Sequence, residues 1–128
     1  MRLLLDSHAI QWSLADQAKL SPTAQSAIRT RTNEIYVSVV SAWEMAIKVG
    51  LGKWPAAAML VDRFEHETAA NGFSTLPISV PHVRAAGLLH VPHRDPFDRL
   101  LVAQAQIEGL TLVTADIRIQ SLGVAWLW

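Results

Sequence analysis

Short apolar runs alternating with helix-like stretches predict an α/β protein with a mostly parallel central sheet of four to five strands. Three observations carry this reading. Residues 2–5, 34–40, 73–79 and 110–114 are apolar or β-branched, and residues 124–128 add a fifth, edge segment. Amphipathic stretches separate the first four, as expected when crossover helices join parallel strands. Cap and turn residues mark the boundaries, notably Ser21-Pro22, Asn71-Gly72, Asp95-Pro96 and Gly109.

The elements follow in order. Residues 2–5 form a buried strand that stops at Asp6, and residues 7–15 a helix with Ala9, Ile10, Trp12 and Leu14 among its apolar positions. Ser21 caps a second helix with Pro22 at its first position, running to about residue 31. The valine-rich residues 34–40 make the second strand, after which Ser41 is expected to cap a helix ending near Gly50 and Gly52. Residues 55–70 read as one long amphipathic helix closed by Asn71-Gly72. A third strand over residues 73–79 leads into a short helix over residues 81–89. A polar loop then precedes a well-marked helix over residues 96–108, stopped by Gly109, and the fourth strand.

At 128 residues the chain fits one domain, residues 1–128, with no internal repeat or linker. Hydrophobic residues reach 51% and charged ones only 17%, which excludes a disordered chain. No apolar run approaches the roughly 18 residues of a membrane span. The run Leu3-Leu4-Leu5 ends at Asp6 with no small-residue cleavage site after it, so a secretory leader is not expected. Cysteine is absent, which removes disulfides and thiolate chemistry and fits a reducing cytoplasm. Eleven basic residues balance eleven acids, so net charge does not announce a nucleic-acid binder. Five tryptophans, two of them at positions 126 and 128, suggest a partner interface such as a homodimer.

Four acids stand where a parallel α/β sheet builds its sites. Asp6 and Asp116 follow strands, while Glu44 and Asp98 sit at expected helix starts. Ligands in such folds bind beyond the carboxyl ends of the strands, where strand order reverses. Read singly, each acid is a good helix cap: Ser41-Ala42-Trp43-Glu44 has the form of a capping box, and Asp95 suits an N-cap better than Asp98 does. Taken together, four converging carboxylates would repel unless a hard cation held them ionised. Mg²⁺ or Mn²⁺ suits an all-carboxylate site and supports phosphodiester chemistry.

Other chemistries fit less well. There is no glycine-rich phosphate loop and no GxSxG elbow. Ser7 and His8 are adjacent on a helix and point apart. His82, His90 and His93 lack helical ligand spacing and read as solvent-facing.

At these residues the chain resembles the PIN domain, specifically the VapC-type toxin ribonucleases of bacterial toxin–antitoxin pairs. The resemblance spans essentially the whole chain. It rests on Leu3-Leu4-Leu5-Asp6-Ser7-His8-Ala9 and Ser41-Ala42-Trp43-Glu44-Met45-Ala46-Ile47-Lys48. The most specific stretch, His93-Arg94-Asp95-Pro96-Phe97-Asp98-Arg99, continues through Leu100-Leu101-Val102-Ala103-Gln104-Ala105, and Gly109-Leu110-Thr111-Leu112-Val113-Thr114-Ala115-Asp116 follows.

This resemblance implies a three-layer α/β/α fold and a metal-dependent endoribonuclease. By the family pattern Asp6, Glu44, Asp98 and Asp116 form an acidic quartet with Thr114 beside it, and Asp6 and Asp98 match Mg²⁺ ligands most directly. The expected chemistry is in-line attack of water on an RNA phosphodiester, with one or two ions and with Glu44 or Asp116 orienting the water. Lys48, Arg94 and Arg99 are weaker candidates for phosphate contacts. A cognate VapB-type antitoxin is the implied partner. Two other readings stay open, a non-catalytic partner-binding or regulatory module and a metal-dependent nuclease acting on DNA.

Overall fold

The computed structural model describes residues 1–128. Its five strands, β1 (Arg2–Leu5), β2 (Glu34–Ser38), β3 (Ser74–Leu76), β4 (Thr111–Val113) and β5 (Trp126–Leu127), form one sheet in the order β3-β2-β1-β4-β5. Every pairing is parallel. The chain lays β2 and β3 on one side of β1, then crosses back to lay β4 and β5 on the other. Strand order therefore reverses at β1/β4, where an open α/β sheet forms its crevice.

Side-chain alternation along β1 divides the core into two halves. Leu3 and Leu5 join Ala9, Ile10, Ile35, Val37, Met45, Leu60 and Phe64 on one face, and Leu4 joins Leu101, Val102, Leu112 and Ile119 on the other. All three leucines of β1 are fully buried, as expected for a central parallel strand covered on both faces. The covering helices are α1 (Ser7–Ala15), α2 (Pro22–Arg29), α3 (Val39–Gly50), α4 (Ala58–Asp62), α5 (Phe64–Ala70), α6 (Val80–Leu88), α7 (Pro96–Glu108) and α8 (Ile117–Gln120). No helix is long and apolar enough to cross a membrane.

Three of the differences from the sequence expectation have a plain physical reason; the edge strand is also shorter than expected, Trp126–Leu127. The second strand ends at Ser38 rather than residue 40, because Ser38 Oγ accepts the Val40 amide at 3.0 Å and donates to the buried Gln104 Oε1 at 2.6 Å. That long-range anchor starts α3 at two β-branched valines, so Ser41 lies inside the helix and its hydroxyl has no partner. The expected long helix is divided at Arg63 (φ −122°) into α4 and α5, preceded by a 3₁₀ turn over Pro55–Ala57. Its buried stripe of Leu60, Phe64 and Thr68 nevertheless runs straight through. The third strand keeps only three residues, since Pro77 has no amide to continue the ladder and its carbonyl instead accepts from Gln104 Nε2 at 3.2 Å.

Candidate metal centre

Three of the four acids reach the crevice from helix N-termini. Asp6 follows β1, and its Oδ1 accepts the Ala9 amide at 2.8 Å, so one residue caps α1 and stands at the sheet edge. The Asp6 amide also donates to the Val113 carbonyl at 3.1 Å, extending the β1/β4 ladder and setting Asp6 beside buried Thr114. Asp95 caps α7, its Oδ1 accepting the Phe97 and Asp98 amides at 2.9 and 3.3 Å. With that cap filled, Asp98 is free to face the crevice, and Phe97 packs edge-on against Trp43 at 5.0 Å between ring centroids. Asp116 caps α8, a single-turn helix between β4 and β5, through the Arg118 amide at 2.9 Å.

Glu44 arrives differently. The capping box expected at Ser41–Glu44 does not form, because α3 begins at Val39 and Glu44 lies in its second turn. There it is buried, with Oε1 accepting from Ser7 Oγ at 2.5 Å and Oε2 from Lys48 Nζ at 3.0 Å. Asp6, Glu44, Asp98 and Asp116 line one cleft, together with Ser7, His8, Lys48, Asp95 and Arg118.

The acids fall into two electrostatic pairs. No lysine or arginine forms an ion pair with Asp6 or Asp98, whereas Glu44 pairs with Lys48 and Asp116 with Arg118. Burial raises the carboxyl pKa of Asp6, opposed by the Thr114 hydroxyl and the Ala9 amide. Burial likewise pushes Asp98 up to about 6, against the pull of the His93 hydrogen bond and with a further push from Asp95 and Glu44. Asp116 moves the other way, held below the usual carboxylate range by the Arg118 guanidinium. No group of three acids or histidines is drawn tightly enough to enclose an ion unaided. The donor set fits a cation that keeps several waters and meets one or two carboxylates directly, which is how Mg²⁺ binds.

These directions set a pH dependence. An acid whose folded pKa is raised contributes stability below its ordinary value, near 3.8 for Asp98, and loses it as pH rises through about 6. For Asp98 this amounts to on the order of 3 kcal/mol, at 1.36 kcal/mol per pKa unit. Divalent ions bind the ionised form, so Mg²⁺ should raise the thermal midpoint at pH 7.5 and have little effect at pH 4.5. Thermal melts with Mg²⁺ or EDTA across this range check the expectation. An equal Mg²⁺ effect at both pH values would overturn it.

Some expected residues take other roles. Arg99 is not available to phosphate, because its guanidinium donates to the carbonyls of Ala86, Gly87, Leu89, Val91 and His93. His82 is buried rather than solvent-facing, bonded to Glu108 Oε1 at 2.8 Å. His93 is largely covered as well, with Nε2 at 2.8 Å from Asp98 Oδ2. Three roles are not readable from the acids alone: Ser7 in the cleft holds Glu44, His93 behind it holds Asp98, and Arg118 pairs with Asp116. Of these, Arg118 had a local signal, an arginine two residues beyond a strand-end acid. Ser7 had none, because its partner is 37 residues away.

Comparison with known proteins agrees with this architecture. The family model of the PIN domain matches residues 3–124. Ribonuclease VapC22 of Mycobacterium tuberculosis is 32% identical over 130 residues, spanning 93% of this chain and 90% of that protein. Among solved structures, VapBC2 from Rickettsia felis bound to a DNA fragment from their promoter superposes with a TM-score of 0.70. It shows 16% identity over 99% of this chain and 98% of that one. The sarcin-ricin loop cleaving toxin VapC20 of Mycobacterium tuberculosis gives 0.69, at 12% identity and 96% coverage of both chains. With the domain matched nearly end to end and a VapC ribonuclease at this identity, the chain belongs to the PIN-domain family, among its VapC-type toxin ribonucleases.

Proposed function

We propose that this protein is a divalent-metal-dependent endoribonuclease, the toxin of a VapBC-type pair acting in the cytoplasm. The observation that carries the reading is the contrast within the quartet. Two buried acids at the β1/β4 crevice, Asp6 and Asp98, have no lysine or arginine partner, beside two acids that have one. Asp6 and Asp98 would hold Mg²⁺ or Mn²⁺. The ion would supply Lewis acidity, polarising a phosphodiester and easing ionisation of water.

The chain's own residues do the positioning. His93 holds Oδ2 of Asp98, and Oδ1 has no protein partner. Ser7 and Lys48 bond both oxygens of buried Glu44, and Arg118 bonds those of the more exposed Asp116. Glu44 or Asp116 then orients the attacking water. The ribonuclease name of the 32% identical relative supports RNA as substrate.

The surface supports protein partners. An apolar groove lined by Leu14, Pro55, Ala56, Ala58, Met59 and Leu60 lies along α1, with Met59 79% exposed, and suits an apolar segment of a VapB-type antitoxin. The VapBC2 and FitAB complexes among the structural neighbours support such a partner. Val39, Trp43 and Ile47 form an exposed i, i+4 stripe on α3, continued by Leu51 at its C-cap, that suits a second copy in a homodimer.

The test is cleavage of RNA and of DNA by purified protein with Mg²⁺, Mn²⁺ or EDTA. Cleavage of RNA alone, restored by either ion and stopped by EDTA, is expected. Cleavage that persists in EDTA would overturn the reading, and cleavage of DNA alone would favour the DNA nuclease.

A further inference from the structure

Two-ion phosphodiester sites need carboxylate oxygens for both ions. In this cleft Glu44 and Asp116 are already spoken for. Glu44 Oε1 takes the Ser7 hydroxyl and Oε2 takes Lys48, with the Glu44 side chain only 7% exposed. Asp116 Oδ1 takes the Arg118 amide and Nε, and Oδ2 takes Nη2 at 2.9 Å. Lys48 is tethered a second time, its ammonium 5.6 Å from the Trp54 ring centroid, and Trp54 stacks in turn on His8 at 4.5 Å. The ammonium is therefore held beside the quartet from two sides.

Charge leads to the same place. Four quartet carboxylates and the two cations paired with them leave a charge of −2, which one divalent ion neutralises. Asp95, the remaining acid on the rim, is engaged at the N-terminus of α7, where the helix dipole offsets its charge.

We propose that Lys48, seconded by Arg118, stands in the place of a second divalent ion, so that the protein takes one ion per chain, on Asp6 and Asp98. The inference rests on the metal-site reading above and goes beyond it in fixing the stoichiometry and naming what enforces it. Lys48 is here a positioning residue: it holds Glu44 in place and denies its oxygen to a metal. Removing that ammonium exposes a buried carboxylate to the cleft and returns the uncompensated charge that a second cation would relieve.

Mn²⁺ binding to the full chain tests this, read by titration calorimetry and by electron paramagnetic resonance, which distinguishes an isolated Mn²⁺ from a spin-coupled pair. The wild type is expected to bind one ion with an uncoupled spectrum. Lys48→Met, and more completely the Lys48→Met/Arg118→Met double variant, should bind two, with spin coupling. Lys48→Arg, which keeps a cation, should return the count to one, and circular dichroism checks that each variant is folded. Two ions in the wild type, or one in the folded double variant, would overturn the inference while leaving the metal site standing. No Mn²⁺ binding at all would remove the metal-site reading and this inference with it.

Discussion

Asp98→Asn is expected to lower Mg²⁺-dependent RNA cleavage about a thousandfold, equivalent to about 4 kcal/mol of transition-state stabilisation, with no loss of fold. Asparagine keeps the acceptor that His93 Nε2 meets and adds no volume, so α7 and its Asp95 cap stay in place. What disappears is the negative charge that faces the cleft. Because burial raises the Asp98 carboxyl to about 6, its ionised form is a burden on the metal-free protein at neutral pH. The variant should therefore melt no lower than wild type in EDTA at pH 7.5, and its gain from added Mg²⁺ should vanish. Parallel cleavage assays and thermal melts check both halves. Retained activity would remove Asp98 from the site. Lost activity with a collapsed melting temperature would make it a structural residue.

The cleft was legible in the sequence where it depends on local chemistry. Asp6, Asp95 and Asp116 each accept an amide two or three residues further on, so acid and helix start, and for Asp6 and Asp116 the strand end as well, can be read together from a few adjacent letters. The alternation of strands and helices implied parallel strands, which put Asp6 and Asp116 at one edge; the order that makes β1 and β4 neighbours came only from the fold. Contacts between distant segments were not legible. Val39 and Val40 favour a strand, and only the hydroxyl of Ser38, bonded 66 residues away to Gln104, turns the chain into α3 there. That shift moved Glu44 from an expected cap into the second turn, where Ser7 and Lys48 hold it. It reached the cleft by a different route from the one its spacing suggested.

Arg99 is the sharpest case of a charge whose role lies in the fold, and its replacement should have the largest effect on stability. Its guanidinium satisfies carbonyls at the end of α6 and along the following loop: Ala86 at 2.9 Å, Leu89 at 2.7 Å, Val91 at 3.2 Å and His93 at 2.9 Å. Hydrogen bonds from a charged donor count for more than neutral ones, and a cation at a helix C-terminus also meets the dipole favourably. Arg99→Met leaves the carbonyls to whatever water can reach them, at an expected cost of about 2–4 kcal/mol. Arg99→Lys should recover less than half of this, since a single ammonium cannot reproduce the planar fork. Urea unfolding measures the loss, and hydrogen exchange should localise it to residues 86–95. The consequence reaches the cleft through the loop: with the His93 carbonyl released, its ring no longer holds Asp98, so cleavage should fall even where the protein remains fully folded. An Arg99→Met variant within 0.5 kcal/mol of wild type would show that the five carbonyls are satisfied without it.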